Sequence, residues 1–186
     1  VSQLAEQILN NQQMPEVDSL VTGCWDEEIW DVGPDKILEM IVGNKEKFMQ
    51  VKRLFVGDMT YEENKISWIQ QGNYDELLAT LPNLESLLIN GKIDHPNLLE
   101  LEIMCGGLPL SAVNDIKTAN LPNQERLVLH AGLKHYGYDC TLPDFAALAE
   151  KSLFPNLRHL GFLDSQDQDQ LVETILETAC CPNSKL

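Results

Sequence analysis

The chain has 186 residues, 44% hydrophobic and 23% charged. That is the balance of one folded domain with a real core, and it excludes wholesale disorder. Asp and Glu number 29 against 13 Lys and Arg, a formal net charge of −16. This sign argues against broad contact with a nucleic-acid backbone or an anionic membrane, and no apolar run reaches the ~18 residues a membrane span needs.

The opening residues, Val1 to Glu6, lack the basic and apolar regions of a signal peptide. Leu4, Ala5, Ile8 and Leu9 recur at helical spacing, so residues 1–16 are predicted to form a helical cap in front of the first strand. Five cysteines, Cys24, Cys105, Cys140, Cys180 and Cys181, show no Cys-x-x-Cys spacing and sit in mostly apolar surroundings. An odd number in that setting predicts reduced, buried thiols, and with them a cytoplasmic protein.

Leucine is over-represented at 29 of 186 residues, and its distribution is periodic. Four segments share one frame: Pro82-Asn83-Leu84-x-x-Leu87-x-Ile89, Pro96-Asn97-Leu98-x-x-Leu101-x-Ile103, Pro122-Asn123-Gln124-x-x-Leu127-x-Leu129 and Pro155-Asn156-Leu157-x-x-Leu160-x-Phe162. Val51-x-x-Leu54-x-Val56 and, more weakly, Val17-x-x-Leu20-x-Thr22 fit without Pro-Asn, and Cys181-Pro182-Asn183 opens a further copy. First positions fall at 17, 51, 84, 98, 124, 157 and 186, separated by 34, 33, 14, 26, 33 and 29 residues. Positions 4 and 6 alternate around a polar residue, the pattern of a short strand with one buried face. The Pro ahead of each strand is expected to set an extended lead-in.

Helix-start chemistry lies between the strands. Thr60-x-x-Glu63 and Asn73-x-x-Glu76 have cap-plus-acid spacing, and Ser165-x-x-Gln168 reads as a capping box ahead of Leu171, Val172, Ile175 and Leu176. Pro34, Pro109 and Pro143 suit a first helical turn. Only about ten residues separate the strands across the 14-residue step, too few for a packed crossover helix. A tight loop over Asn90–His95 is expected there. Each unit is too small to hide its own apolar face, so the units must stack.

Leu-x-x-Leu-x-Leu, four times with Pro-Asn attached, resembles the leucine-rich repeat family over residues 17–186. The stretch Leu54-Phe55-Val56-Gly57-Asp58-Met59-Thr60-Tyr61-Glu62-Glu63 with Ile66-Ser67-Trp68-Ile69 is similar to bacterial cytoplasmic members, some named after a molybdate-metabolism regulator. The resemblance implies a single α/β solenoid over residues 1–186: about six irregular repeats in a horseshoe arc, the last truncated. The parallel sheet would lie on the concave face and the helices on the convex face. The Asn or Cys usual at the ninth repeat position is missing, so no regular asparagine ladder is expected at that position. The truncated last repeat implies either that the natural chain runs on or that this end self-associates.

Catalytic and metal chemistry find little support. The four histidines, His95, His130, His135 and His159, include no His-Glu-x-x-His. They are expected on the surface, unliganded, even though His130, His159 and Glu102 could lie on neighbouring strands. Neither Asp26-Glu27-Glu28 nor Asp58 with Glu62 and Glu63 has a calcium-loop pattern. Gly-x-Ser-x-Gly and phosphate-loop motifs are absent, and Cys105-Gly106-Gly107 reads as a turn before a helix. The expectation is a non-enzyme with no catalytic residue, no metal and no cofactor.

If positions 4 and 6 face the core, positions 3, 5 and 7 face the open side of the sheet. Position 3 reads Ser19, Arg53, Ser86, Glu100, Arg126, His159; position 5 reads Val21, Phe55, Leu88, Glu102, Val128, Gly161; position 7 includes Met104, His130 and Leu163. Apolar residues on a face with nothing to cover it predict a protein-binding surface made by Arg53, Phe55, Leu88, Glu100, Glu102, Arg126, Val128, His130 and His159. The function expected is a non-catalytic scaffold for a protein partner, acting on neither nucleic acid nor membrane. The alternative is an accessory subunit holding a small molecule or metal at the concave centre.

Overall fold

A computed structural model of the protein describes residues 2–12, 14–25, 32–58, 74–89 and 95–180. Among the described residues six strands, β1 (Ser19–Thr22), β2 (Arg53–Val56), β3 (Ser86–Ile89), β4 (Glu100–Ile103), β5 (Arg126–His130) and β6 (His159–Leu163), form one sheet in chain order. Every neighbouring pair is parallel. The helices are α1 (Ser2–Leu9), α2 (Asp35–Gly43), α3 (Asp75–Thr80), α4 (Leu110–Thr118), α5 (Leu142–Ala146) and α6 (Gln168–Cys180). The fold is α/β, as expected. No helix among the described residues is long and apolar enough to cross a membrane. Two expected starts of helices, at Thr60 and Asn73, and residues 90–94 of the tight loop lie outside the described residues.

The register joins like frame positions, so Ser19, Arg53, Ser86, Glu100, Arg126 and His159 stand side by side across the sheet. A slip of one residue would turn every apolar side chain outward. Leu54, Val56, Leu87, Leu101, Ile103, Leu127, Leu129 and Phe162 point inward and are at most 7% exposed. Leu38, Ile41, Leu77, Leu78, Val113, Ile116, Phe145 and Leu171 of the helices meet them in one core. At roughly 1.5–3 kcal/mol per buried side chain, this layer rather than any single helix holds the short units together.

The Pro-Asn pair does something other than lead extended chain into the strand. In each unit the N–H of frame position 1 donates to the carbonyl three residues earlier: Val51 to Phe48, Leu84 to Leu81, Leu98 to His95, Gln124 to Leu121, Leu157 to Phe154. Pro82, Pro96, Pro122 and Pro155 therefore occupy the second position of a turn, where their fixed φ is favourable. The turn-opening residues Met14, Phe48, Leu81, His95, Leu121 and Phe154 form a further buried column. His95 belongs to it, 3% exposed with Nε2 3.0 Å from the Leu81 carbonyl oxygen, and is not the surface histidine expected.

The asparagine of each turn reaches across to the unit before. Asn97 Nδ2 donates to the Pro82 carbonyl at 2.9 Å, Asn123 to Pro96 at 2.9 Å and Asn156 to Pro122 at 3.0 Å; Asn83 donates to Met49 at 2.8 Å. In the preceding unit Gln50 replaces Asn, its Nε2 donating to Met14, Val17 and Lys47 carbonyls. A side-chain ladder thus exists, carried by the Pro-Asn turn instead of the ninth repeat position. Asn123→Ala should cost about 0.5–1.5 kcal/mol, the net worth of one such bond, measured by urea denaturation. No loss at all would show that water replaces the amide without penalty.

One cap reading differs from the structure. Gln168 is the first residue of α6, and its Nε2 donates to the Phe162 carbonyl at 2.8 Å instead of closing a box on Ser165. Ser165 Oγ accepts the Asp167 N–H at 3.2 Å. The working box is at α5, where Asp144 Oδ2 accepts the Thr141 N–H at 2.8 Å and its hydroxyl at 2.6 Å. These bonds hold the Asp144 carboxyl below its ordinary range, the hydroxyl contributing most, and Pro143 sits in the first turn as expected.

Candidate functional site

Among the described residues, the side of the sheet that faces away from the core divides into two halves of different chemistry. Across β1–β3 the register sets Val21, Phe55 and Leu88 in one row. Val21 is 55% exposed, and Phe55 and Leu88 are half-buried. On one flank stand Ser19 and Arg53, whose Nε donates to Ser19 Oγ at 2.7 Å while Nη2 meets Asp18 Oδ1 at 3.0 Å. On the other flank the chain leaves the sheet through Gly23 and Gly57. A Cβ on Gly23 would stand 2.9 Å from the Asp58 carbonyl oxygen, and Gly57 has φ +99°. At these two glycines that edge of the row carries no side chain; position 90, which continues it on β3, lies outside the described residues.

Across β4–β6 the same face is ionic. Arg126 Nη1 donates to Glu102 Oε2 at 3.0 Å, and His130 Nε2 lies 3.2 Å from Glu102 Oε1. His130 Nδ1 lies 2.6 Å from Asp164 Oδ2. Asp164 follows β6 in the left-handed region at φ 55°, unusual for a non-glycine residue. Ionised carboxylates only accept, so both histidine bonds form together only with the imidazolium. With each ring nitrogen facing a carboxylate and 9% exposure, His130 links Glu102 of β4 to Asp164 after β6.

Burial works to raise the Glu102 pKa, but hydrogen bonds from His130 and Arg126 and the charges of those two residues outweigh it. The carboxyl lies below its ordinary value of 4.5. Its stabilising contribution is therefore complete above that value and disappears as pH falls through the lowered one. The destabilisation caused by Glu102→Gln should be largest near about pH 7 and shrink towards about pH 3. Urea denaturation of both proteins across that range is the check, with Arg126, His130 and Asp164 present in each; a difference that grows on acidification contradicts the arrangement.

Of the nine residues singled out from sequence, Glu102, Arg126 and His130 are brought into contact, with Asp164 as a member that the frame did not reveal. Arg53 and Phe55 share β2, Leu88 adjoins them on β3, and Glu100 is exposed on β4. Glu100 pairs in register with Arg126, but Arg126 turns to Glu102 and leaves Glu100 with the Ser86 hydroxyl at 3.4 Å. His159 is exposed and aligned with Arg126, four residues from the level of His130. At ~3.3 Å per residue, His130 and His159 lie roughly 13 Å apart along the strands.

Val128 and His130 were expected on an accessible surface, and both are buried. Val128 is 2% exposed. Arg126 and His130 flank it on β5, both reach Glu102 directly opposite, and Gly161 on the far side brings no side chain. A short residue ringed by longer, mutually bonded ones is covered without any added layer.

Among the described residues no group of three or more His, Cys, Asp or Glu is arranged to hold a metal. Burial pushes the thiols of Cys105 and Cys140 up to about 12, so neither is a nucleophile at neutral pH. Cys24 is exposed, contrary to the expectation of buried thiols.

The fold has a solved counterpart. The chain is 38% identical to a Bacteroides fragilis protein whose crystal structure was determined as a Northeast Structural Genomics Consortium target, with a TM-score of 0.85. The match covers 96% of this chain and 52% of that one, so the chain spans about half the length of this relative. No protein-family model matches the chain, and no curated protein does.

Proposed function

We propose that the chain is a leucine-rich repeat solenoid, a horseshoe arc with the parallel sheet on its concave face, that serves as a cytoplasmic, non-catalytic scaffold for a protein partner. The repeat reading is supported by the in-register frame, by turns that recur in every unit, and by side-chain ladders linking each unit to the one before. The observation that carries the functional reading is the row Val21, Phe55 and Leu88 on a face that no other element covers among the described residues. Apolar groups in a row rimmed by polar residues are the usual mark of an interaction surface.

Phe55 and Leu88 are the anchors of this surface, with Arg53 and Glu100 setting orientation by charge. Phe55→Ser and Leu88→Ser should each weaken partner binding by about 2 kcal/mol or more, as truncation of an interface hot spot does. The partner is captured from lysate of the source cells on immobilised wild type, purified, and titrated against wild type and both variants by calorimetry. Unchanged affinity in both variants overturns the reading.

A further inference from the structure

We propose that the outer edge of β6 docks one further extended segment of the repeat frame, Pro-Asn-Leu-x-x-Leu-x-(apolar), added in parallel from outside these 186 residues, with Gln168 as the side chain it displaces. The inference is independent of the row Val21, Phe55 and Leu88.

The chemistry of the occupant follows from a junction that the chain makes five times. At each one the carbonyl at frame position 2 accepts the position-3 N–H of the next strand, from Asp18 accepting Arg53 to Glu125 accepting His159. The carbonyl of the turn proline accepts the asparagine of the next unit, as at Pro82, Pro96 and Pro122. The carbonyl at position 6 accepts the position-7 N–H, as Thr22 does from Gly57 at 2.9 Å.

On β6 the same acceptors face outward. His159 N–H donates to Glu125, and the Leu163 carbonyl accepts the Ala131 N–H. Alternate residues of β6 therefore bond to β5, while Leu160 and Phe162 turn their backbone groups to the other side. Among the described residues nothing bonds to the carbonyls of Pro155, Arg158 or Leu160. The side chains agree: Leu101 and Leu127, with strands on both sides, are wholly buried, whereas Leu160 at the same frame position is half-buried. An edge of this kind is a template for strand addition.

Phe162 is the exception along the edge. Gln168 Nε2 donates to its carbonyl at 2.8 Å, in the place of a position-7 N–H. Gln168 Oε1 is buried and has no partner, so the amide holds this place through its donor alone. Such a side chain is a placeholder that an incoming strand replaces.

The test titrates the full chain into a fluorescein-labelled peptide, Pro96–Met104 of this sequence, by anisotropy. Docked in frame, its Glu100 and Glu102 N–H groups point at β6 and those of Leu101 and Ile103 point away. N-methylation of the first pair should weaken binding by about tenfold or more, and N-methylation of the second should leave it within about twofold. Gln168→Ala should tighten binding by about threefold, because one hydrogen bond no longer has to be broken, a gain that loss of folding cannot mimic. No binding, equal loss from both methylation patterns, or no gain in Gln168→Ala overturns the proposal. Binding that appears only in the double variant Pro182→Ala, Asn183→Ala would assign the edge to the chain's own residues 181–186 and overturn it. Wild-type oligomers dispersed by the peptide would assign it to a second copy and overturn it too. The scaffold reading stands or falls separately, on Phe55 and Leu88.

Discussion

Gly132→Ala is expected to destabilise the protein by about 3 kcal/mol or more, above the ordinary range for a single methyl group. Two independent costs meet at this position. Gly132 has φ +71°, where an L side chain is strained. Its added Cβ would also stand 1.9 Å from the Gly106 carbonyl oxygen and 2.3 Å from the Gly106 carbonyl carbon, both backbone atoms. Neither can swing aside, because Gly106 O accepts the Leu133 N–H at 2.8 Å and Gly107 bridges Gly132 antiparallel. Gly107 is also crowded, with a Cβ position 2.5 Å from the Tyr136 carbonyl group. Gly43→Ala is the control with the opposite sign. It ends α2, has nothing within 4 Å of its Cβ position, and should gain up to about 1 kcal/mol from reduced freedom of the unfolded chain. Chemical denaturation of both variants decides the matter. A Gly132→Ala protein as stable as wild type would mean that the segments after β4 and β5 do not cross.

The sheet was legible because its signal repeats. Six copies of one frame, each with apolar residues at alternate positions, predict the strands, their inward faces and their pairing at once, and the registers at Leu87–Leu101 and Leu101–Leu127 follow the frame. The turns are missed when the Pro ahead of each strand is taken to set an extended lead-in, because its fixed φ equally favours the second position of a turn. Aligning the residue before each Pro would have revealed the buried column that includes His95. The crossing at Gly107 and Gly132 was hidden because its partners are 25 residues apart and depend on backbone proximity. On the open face the columns were right, but exposure was not. Whether Val128 is covered depends on which way Arg126 turns, and a frame that records faces does not record bonds within a face. Asp164 escaped notice for a related reason, since it lies just beyond the last strand and enters the ionic half only through His130.

Leu127→Ala should cost about 2–5 kcal/mol, because Leu127 is wholly buried and flanked in the sheet by Leu101 and Leu160, leaving a cavity that the short strands cannot close. Its neighbour Val128 points to the other side and is nearly as buried, yet its cover is made of side chains that can settle. Val128→Ala should therefore cost about 1–2 kcal/mol, close to the transfer value of the methyl groups removed. Phe55→Ser, half-buried on the same face, should lose less than Val128→Ala. The three variants thus form a gradient from core to ionic cover to open row, read as unfolding free energies from urea titrations. Loss at Phe55 equal to that at Leu127 would mean that the row is built into the core, and a surface that is core has no area left to offer a partner. Loss at Val128 close to zero would mean that Arg126, Glu102 and His130 do not close over it, which would return Val128 to the binding surface that the repeat frame assigned it.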